Sequence, residues 1–136
     1  MNSGYIFLAG YVVFVGVASF LMKFVMDKIN AYQINLLMGI GMIAITVPAM
    51  LWAKQSFKIP ADGLPLGILA GLLMAAGSLL FVFSLNKLPV GLASAISASY
   101  ILVVVLLSRM FLKEPIGALK LLGIILTVLG VAILSL

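Results

Sequence analysis

Long apolar runs separated by short polar links constrain this chain more than any other feature. The last two, Val90–Leu112 and Ile116–Leu136, flank the link Lys113-Glu114-Pro115. As helices, runs of about 20 residues rise roughly 30 Å, which matches the hydrocarbon core of a bilayer. The pattern predicts an all-α polytopic membrane protein with five spans in a single membrane domain over residues 1–136. The predicted spans are residues 5–26, 34–52, 64–85, 90–112 and 116–136.

Composition excludes a water-soluble fold and argues against enzyme chemistry. Only 8% of the 136 residues are charged, whereas soluble domains hold about 25%. Cysteine and histidine are absent, and the carboxylates are Asp27, Asp62 and Glu114. Disulfides, thiolate metal sites and Ser-His-Asp triads are therefore excluded. We predict a protein that is not an enzyme and uses no cofactor or metal.

The basic residues predict how the chain is oriented. The net charge of +5 is better explained by topology and anionic lipid headgroups than by nucleic acid, because the basic residues sit at span ends. With five spans, one side holds Lys54, Lys58, Arg109, Lys113 and Lys120, and the other holds Lys23, Lys28 and Lys87. This bias favours a cytoplasmic N-terminus in the plasma (inner) membrane. It is small, so insertion in both orientations stays open.

The fourth span is rich in small and hydroxylated residues, and it supplies the main candidates for substrate binding. Ser94, Ser97 and Tyr100 are the principal candidates; Ser97 and Tyr100 are three residues apart and share a helical face. Hydroxyls offer donors and acceptors without the cost of burying a charge. The structural alternative is that each serine bonds back to the carbonyl four residues earlier and only packs.

Four further polar residues in or near the spans have open roles. Lys23, near the end of the first span, is interpreted as reaching the interface or pairing with Asp27, or as meeting an anionic substrate. Asn35 is either a helix-start residue or an amide that lines a cavity, and Ser19 is a weaker lining candidate. Glu114, before Pro115, is expected to cap the last helix, with both residues in its first turn.

The order of residues in the C-terminal half resembles a known family. Residues 81–134 contain Leu85, Leu88 and Leu92-Ala93, then the small-residue span, then Leu112-Lys113-Glu114, and finally a glycine-rich helix with Gly130-Val131. In size, span count and this pattern, the whole chain resembles a single EamA-type domain of the drug/metabolite transporter superfamily. The resemblance implies a secondary transporter or exporter of small polar or amphipathic metabolites.

The resemblance also implies a partner, because most members join two such domains as an inverted repeat with the substrate site between them. We expect pairing with a second copy, as an antiparallel or parallel homodimer, or with a sister chain. The related small multidrug-resistance proteins have four spans and a membrane-embedded glutamate in the first. The first span here has no carboxylate, so proton-coupled export of hydrophobic cations is not supported.

Two other functions remain open from sequence alone. One is flipping of a lipid-linked substrate by a member of the same superfamily. The other is a non-transporting membrane subunit that stabilises a partner complex. Substrate, coupling ion and direction cannot be derived from these residues.

Overall fold

A computed structural model describes residues 3–134, and the regular structure within this range is helical. The predicted all-α class is confirmed. The helices are α1 (Ser3–Val25), α2 (Ala31–Trp52), α3 (Leu64–Leu85), α4 (Val90–Ser97), α5 (Tyr100–Leu107), a π-helical turn (Ser108–Leu112) and α6 (Ala118–Leu134).

Four helical segments in the described residues are long and apolar enough to cross a membrane. They are Ser3–Val25, Ala31–Trp52, Leu64–Leu85 and Val90–Leu112; α6 is a shorter apolar helix of 17 residues. These segments coincide with the predicted spans, although α2 begins three residues earlier than expected. The chain divides into two compact units, Met1–Lys87 and Leu88–Leu136, called here the N-terminal and C-terminal units. The single membrane domain stays a prediction.

The N-terminal unit is packed mainly where α1 and α3 end and α2 begins. Ala31, Ile34 and Val82 form its buried cluster, and Met22, Met26, Ile29, Met38 and Leu79 pack against them. Val82 and Leu85 are fully buried. Tyr32 and Phe83 meet edge to face, with ring centroids 5.4 Å apart. The opposite halves of the three helices are almost entirely exposed, as expected of surfaces that face lipid or another chain.

Local hydrogen bonds define both ends of α2. The Asn30 side chain accepts from the Gln33 backbone N–H, and the Gln33 side chain accepts from the Asn30 backbone N–H, both at 2.9 Å. This reciprocal capping box satisfies two donors that a helix start leaves free. At the other end, Gln55 N–H bonds to the Met50 carbonyl and Lys54 adopts a left-handed conformation. These are the features of a Schellman termination.

In the C-terminal unit, the fourth predicted span is not one continuous α-helix. It is interrupted at Ala98–Ser99, between α4 and α5. Three backbone bonds around the break, from Ser99 to Ile96, Ile101 to Ala98 and Leu102 to Ser99, connect residues three apart. This is the tighter 3₁₀ pattern. The predicted span over residues 90–112 is confirmed as a long apolar helical segment, and the 3₁₀ distortion within it was not predicted.

The link after the fourth span also differs from expectation. The π-helical turn ends at Lys113, which has a left-handed backbone with φ of 53°. The Glu114 carboxylate accepts a 2.6 Å hydrogen bond from the Ser108 hydroxyl. Because α6 begins only at Ala118, neither Glu114 nor Pro115 lies at its first turn. The predicted cap of the last helix was therefore wrong.

Candidate functional site

The interruption of the fourth span lies among the serines singled out from the sequence. Ser94 and Ser97 belong to α4, and Tyr100 begins α5 directly after the break. The structure therefore brings these three candidates into one short segment of the C-terminal unit. Between Val90 and Ser108 this segment carries no charged side chain. Its polar groups are hydroxyls and the backbone groups around the break.

Ser97 is exposed, and its hydroxyl donates to the Ser94 carbonyl at 2.8 Å. The bond spans three residues rather than the four expected for back-bonding in an α-helix. The Ser94 carbonyl also accepts from the Ala98 N–H at 3.1 Å. The Ser97 hydroxyl still has lone pairs with which it can accept a hydrogen bond from another molecule.

Tyr100 is 61% exposed. Its hydroxyl has no hydrogen-bond partner within residues 3–134. A tyrosine hydroxyl at membrane depth needs a partner, because leaving a polar group unsatisfied in hydrocarbon is costly.

Lys23 lies in the last turn of α1, and its ammonium donates to the Leu85 carbonyl at 2.5 Å. Leu85 is the last residue of α3. Because the carbonyls at a helix end lack intrahelical donors, a cation there is favourable. Of the alternatives for Lys23, pairing with Asp27 is not formed within the described residues, and the ammonium links α1 to α3 instead. A role for Lys23 toward substrate stays a prediction.

Asn35 lies in the second turn of α2, whose N-cap is Asn30. The helix-start interpretation of Asn35 was therefore wrong. Its side-chain oxygen accepts a hydrogen bond from the Ser78 hydroxyl on α3. That hydroxyl also lies 2.9 Å from the Ala75 carbonyl, so two acceptors share its single proton. Whether Asn35 also lines a substrate path stays a prediction.

Ser19 is buried, with 6% of its surface exposed, and its hydroxyl donates to the Val15 carbonyl at 2.8 Å. This is the back-bonding expected for a serine that packs within a helix. Ser19, Lys23 and Asn35 all belong to the N-terminal unit, and Ser94, Ser97 and Tyr100 to the C-terminal unit.

Sequence reasoning missed two hydroxyls that join separate segments. Ser78 is the partner of Asn35, and Ser108 is the partner of Glu114. A lone asparagine in an apolar span does suggest a polar partner on a neighbouring helix, but the sequence does not show which one. For Ser108, the six-residue separation from Glu114 crosses a π-helical turn, which the apolar pattern does not reveal.

Comparison with known proteins identifies the family. The sequence model of the EamA-like transporter family matches residues 2–136. The chain belongs to the EamA-like transporter family. It is also similar to an uncharacterized protein of Methanocaldococcus jannaschii, with 29% identity over 123 residues that cover 90% of this chain and 89% of that protein. No solved structure matches the chain.

Membership of the EamA-like family makes this a multi-pass membrane protein of the drug/metabolite transporter superfamily. The long apolar helices are consistent with that assignment. It points to transport rather than to an enzyme reaction.

Proposed function

We propose that this EamA-like chain is one half of a secondary transporter that exports a small metabolite across the plasma membrane by alternating access. The substrate would be polar or amphipathic and would be bound through hydroxyl and backbone groups. Two such halves, related as in an inverted repeat, would form the working transporter.

The observation that carries the proposal is the break between α4 and α5. With 1.5 Å per residue, it lies roughly 12–14 Å along a span of about 33 Å, close to the middle of the membrane. Transporters often bind substrates near the midplane at irregular helices. At this break the backbone stays in the right-handed helical region at Ala98 and Ser99, and the hydrogen bonds tighten to the 3₁₀ pattern. Here the break occurs among serines and next to the exposed Tyr100.

Within this proposal, Tyr100 and Ser97 line the substrate path and Ser94 supports it. Tyr100 can donate to the substrate, and Ser97 can accept from it. Ser19, Lys23 and Asn35 are secondary members of the proposed site. The structure gives each of them a partner inside the N-terminal unit, so their contribution to binding would require those bonds to rearrange.

The proposed partner is a second copy of the chain or a sister chain of the same kind. We propose a cytoplasmic N-terminus, on the basis of the lysine and arginine distribution. An antiparallel homodimer would instead require both orientations to be populated.

Reconstitution tests the transport activity. The protein is inserted into phosphatidylethanolamine–phosphatidylglycerol vesicles loaded with a mixture of amino acids, sugars and nucleosides, and the external medium is followed by mass spectrometry. We expect selective release of at least one class of solute from vesicles that contain the protein, and no release from loaded vesicles without protein. Ser97→Leu should reduce the rate about tenfold or more, because it fills the path and removes a hydroxyl. Thr127→Leu is the matched control, since Thr127 is an exposed α6 hydroxyl bonded to its own helix.

Other outcomes identify the competing functions. Movement of a fluorescent lipid between leaflets, without release of any soluble solute, would support a flippase. Absence of both activities, with stable co-purification of another membrane complex, would support the non-transporting subunit. In the latter case Ser97→Leu would leave function intact as long as the protein folds.

A further inference from the structure

An open apolar recess of about 340 Å³ lies between α1 and α2 in the N-terminal unit. Its lining includes Leu21, Met22 and Val25 from α1, Ile29 from the following turn, and Ile34 and Met38 from α2. No polar side chain contributes to the lining. In a membrane-spanning unit, such a recess is a surface on which a hydrocarbon chain can pack.

Lys28 lies in the turn between Val25 and Ile29, which both line this recess. Its backbone N–H donates to the carbonyl of Val25 at 2.9 Å, and the next residue, Ile29, donates to the same carbonyl at 3.0 Å. Val25 and Ile29 both line the recess, so this tight turn holds the backbone of Lys28 directly at its edge. The Lys28 side chain is exposed and has no hydrogen-bond or ion-pair partner within the described residues.

Two other lysines lie at the same end of the N-terminal unit. The bond from Lys23 to the Leu85 carbonyl joins the end of α1 to the end of α3. Lys87 lies two residues beyond the end of α3, and its N–H bonds to the Ser84 carbonyl at 3.0 Å. With Asp27 as the single carboxylate in the turn, this end keeps a net positive charge.

We propose that the recess binds one anionic phospholipid, with an acyl chain between α1 and α2 and the phosphate at Lys28. The apolar lining would shield the chain, and Lys28, in the field of Lys23 and Lys87, would select a negatively charged headgroup. Basic groups beside grooves between membrane helices are suited to anionic lipids. The site depends only on the N-terminal unit, so it does not rest on the proposed transport function.

Lipid titration of the purified full chain in detergent tests the site, with native mass spectrometry as the readout. Dioleoylphosphatidylglycerol should bind more tightly than dioleoylphosphatidylcholine. Lys28→Gln should weaken phosphatidylglycerol binding about fivefold, as expected for one lysine near a membrane surface. The matched control is Lys58→Gln, in the link between α2 and α3, which should leave the affinity unchanged.

A second pair of variants tests the recess without changing charge. Ala18 also lines the recess, so Ala18→Trp should fill it and remove the tightly bound lipid. Ala9→Trp, earlier on the same helix and outside the lining, should retain lipid binding. Circular dichroism of each variant confirms that its helices are intact.

Three results would overturn the proposal. Equal affinity for the two lipids would show that the headgroup charge is not recognised. Unchanged binding in both Lys28→Gln and Ala18→Trp would show that lipid binds elsewhere. Complete competition by millimolar inorganic phosphate, with no effect of Ala18→Trp, would show a site for free anions instead of a lipid.

Discussion

The ammonium of Lys23 lies at the carboxyl end of α3, where it donates to the Leu85 carbonyl. In the sequence, Asp27 was the obvious partner, because residues four apart share a helical face. The structure ends α1 at Val25, so Asp27 lies beyond the helix and that spacing no longer applies. Lys23 instead meets the carbonyl at the end of α3.

Lys23→Met should destabilise the N-terminal unit, because it removes a charge-assisted hydrogen bond while keeping most of the apolar stem. We expect a loss of about 1–2 kcal/mol, the lower part of the usual range, since the side chain is partly exposed. Denaturant unfolding in detergent, followed by circular dichroism, measures this loss. Lys58→Met, in an exposed link, should have little effect. Equal stabilities of the two variants would show that the bond to Leu85 contributes nothing.

The helix break at Ala98–Ser99 shows how an element can differ from its apolar pattern. Residues 90–112 contain no proline, and their only glycine is Gly91 at the start, so the sequence favours one helix. The structure instead uses bonds between residues three apart around Ser97, Ser99 and Tyr100. Serine hydroxyls compete with backbone N–H groups for backbone carbonyls. The free-energy difference between the α-helical and 3₁₀ hydrogen-bond patterns is then set by packing. Sequence reasoning located the serines but could not predict the break.

The link between the fourth span and α6 is held by Ser108 and Glu114. Ser108→Ala should free the Glu114 carboxylate and cost about 0.5–1.5 kcal/mol, the usual contribution of one hydrogen bond. Amide hydrogen exchange should become faster in residues 108–114 and stay unchanged in α2. Ser84→Ala is the control, because that hydroxyl bonds only to the Phe81 carbonyl of its own helix. Unchanged exchange in Ser108→Ala would contradict a role for this bond in ordering the link.

Short-range sequence patterns predicted some helix ends and not others. Pro65 lies in the first turn of α3 and Asn86 is its C-cap, positions at which proline and asparagine are common. The Asn30-Ala-Tyr-Gln33 capping box, in contrast, starts α2 three residues before the predicted span. Glu114-Pro115 has the composition of a helix start, yet α6 begins after Gly117 because Glu114 bonds to Ser108 instead.

At the scale of the whole molecule, hydrophobicity was sufficient to predict the all-α class and the four long apolar segments of the described residues, while the fifth predicted span corresponds to the shorter helix α6. A membrane-spanning helix must be long enough to cross the bilayer, so the length of each apolar run in the sequence predicts a span. The side-chain partners of Asn35, Lys23 and Glu114 were not predictable, because each depends on which residues of separate segments meet. A single sequence does not show which residues of separate segments come into contact.

Orientation in the membrane can be measured because the chain lacks cysteine. Ser56→Cys places one thiol in the exposed link between α2 and α3. With a cytoplasmic N-terminus, an impermeant maleimide should label this variant only after the cells are permeabilised. Labelling of about half the sites in intact cells would contradict a single orientation and would support an antiparallel homodimer.

The proposed substrate path at the fourth-span break is tested most directly by the water accessibility of Ser97. The variant Ser97→Cys is treated in native membranes with a positively charged, membrane-impermeant methanethiosulfonate reagent. Leu106→Cys is the control, because Leu106 is exposed, lies on the opposite helical face from Ser97 and is about as far from the nearer end of the span. We predict that the thiol at position 97 is modified and that the one at position 106 is not. If neither thiol reacts from either side of the membrane, Ser97 lies in lipid or in packed protein, and the proposed path is wrong.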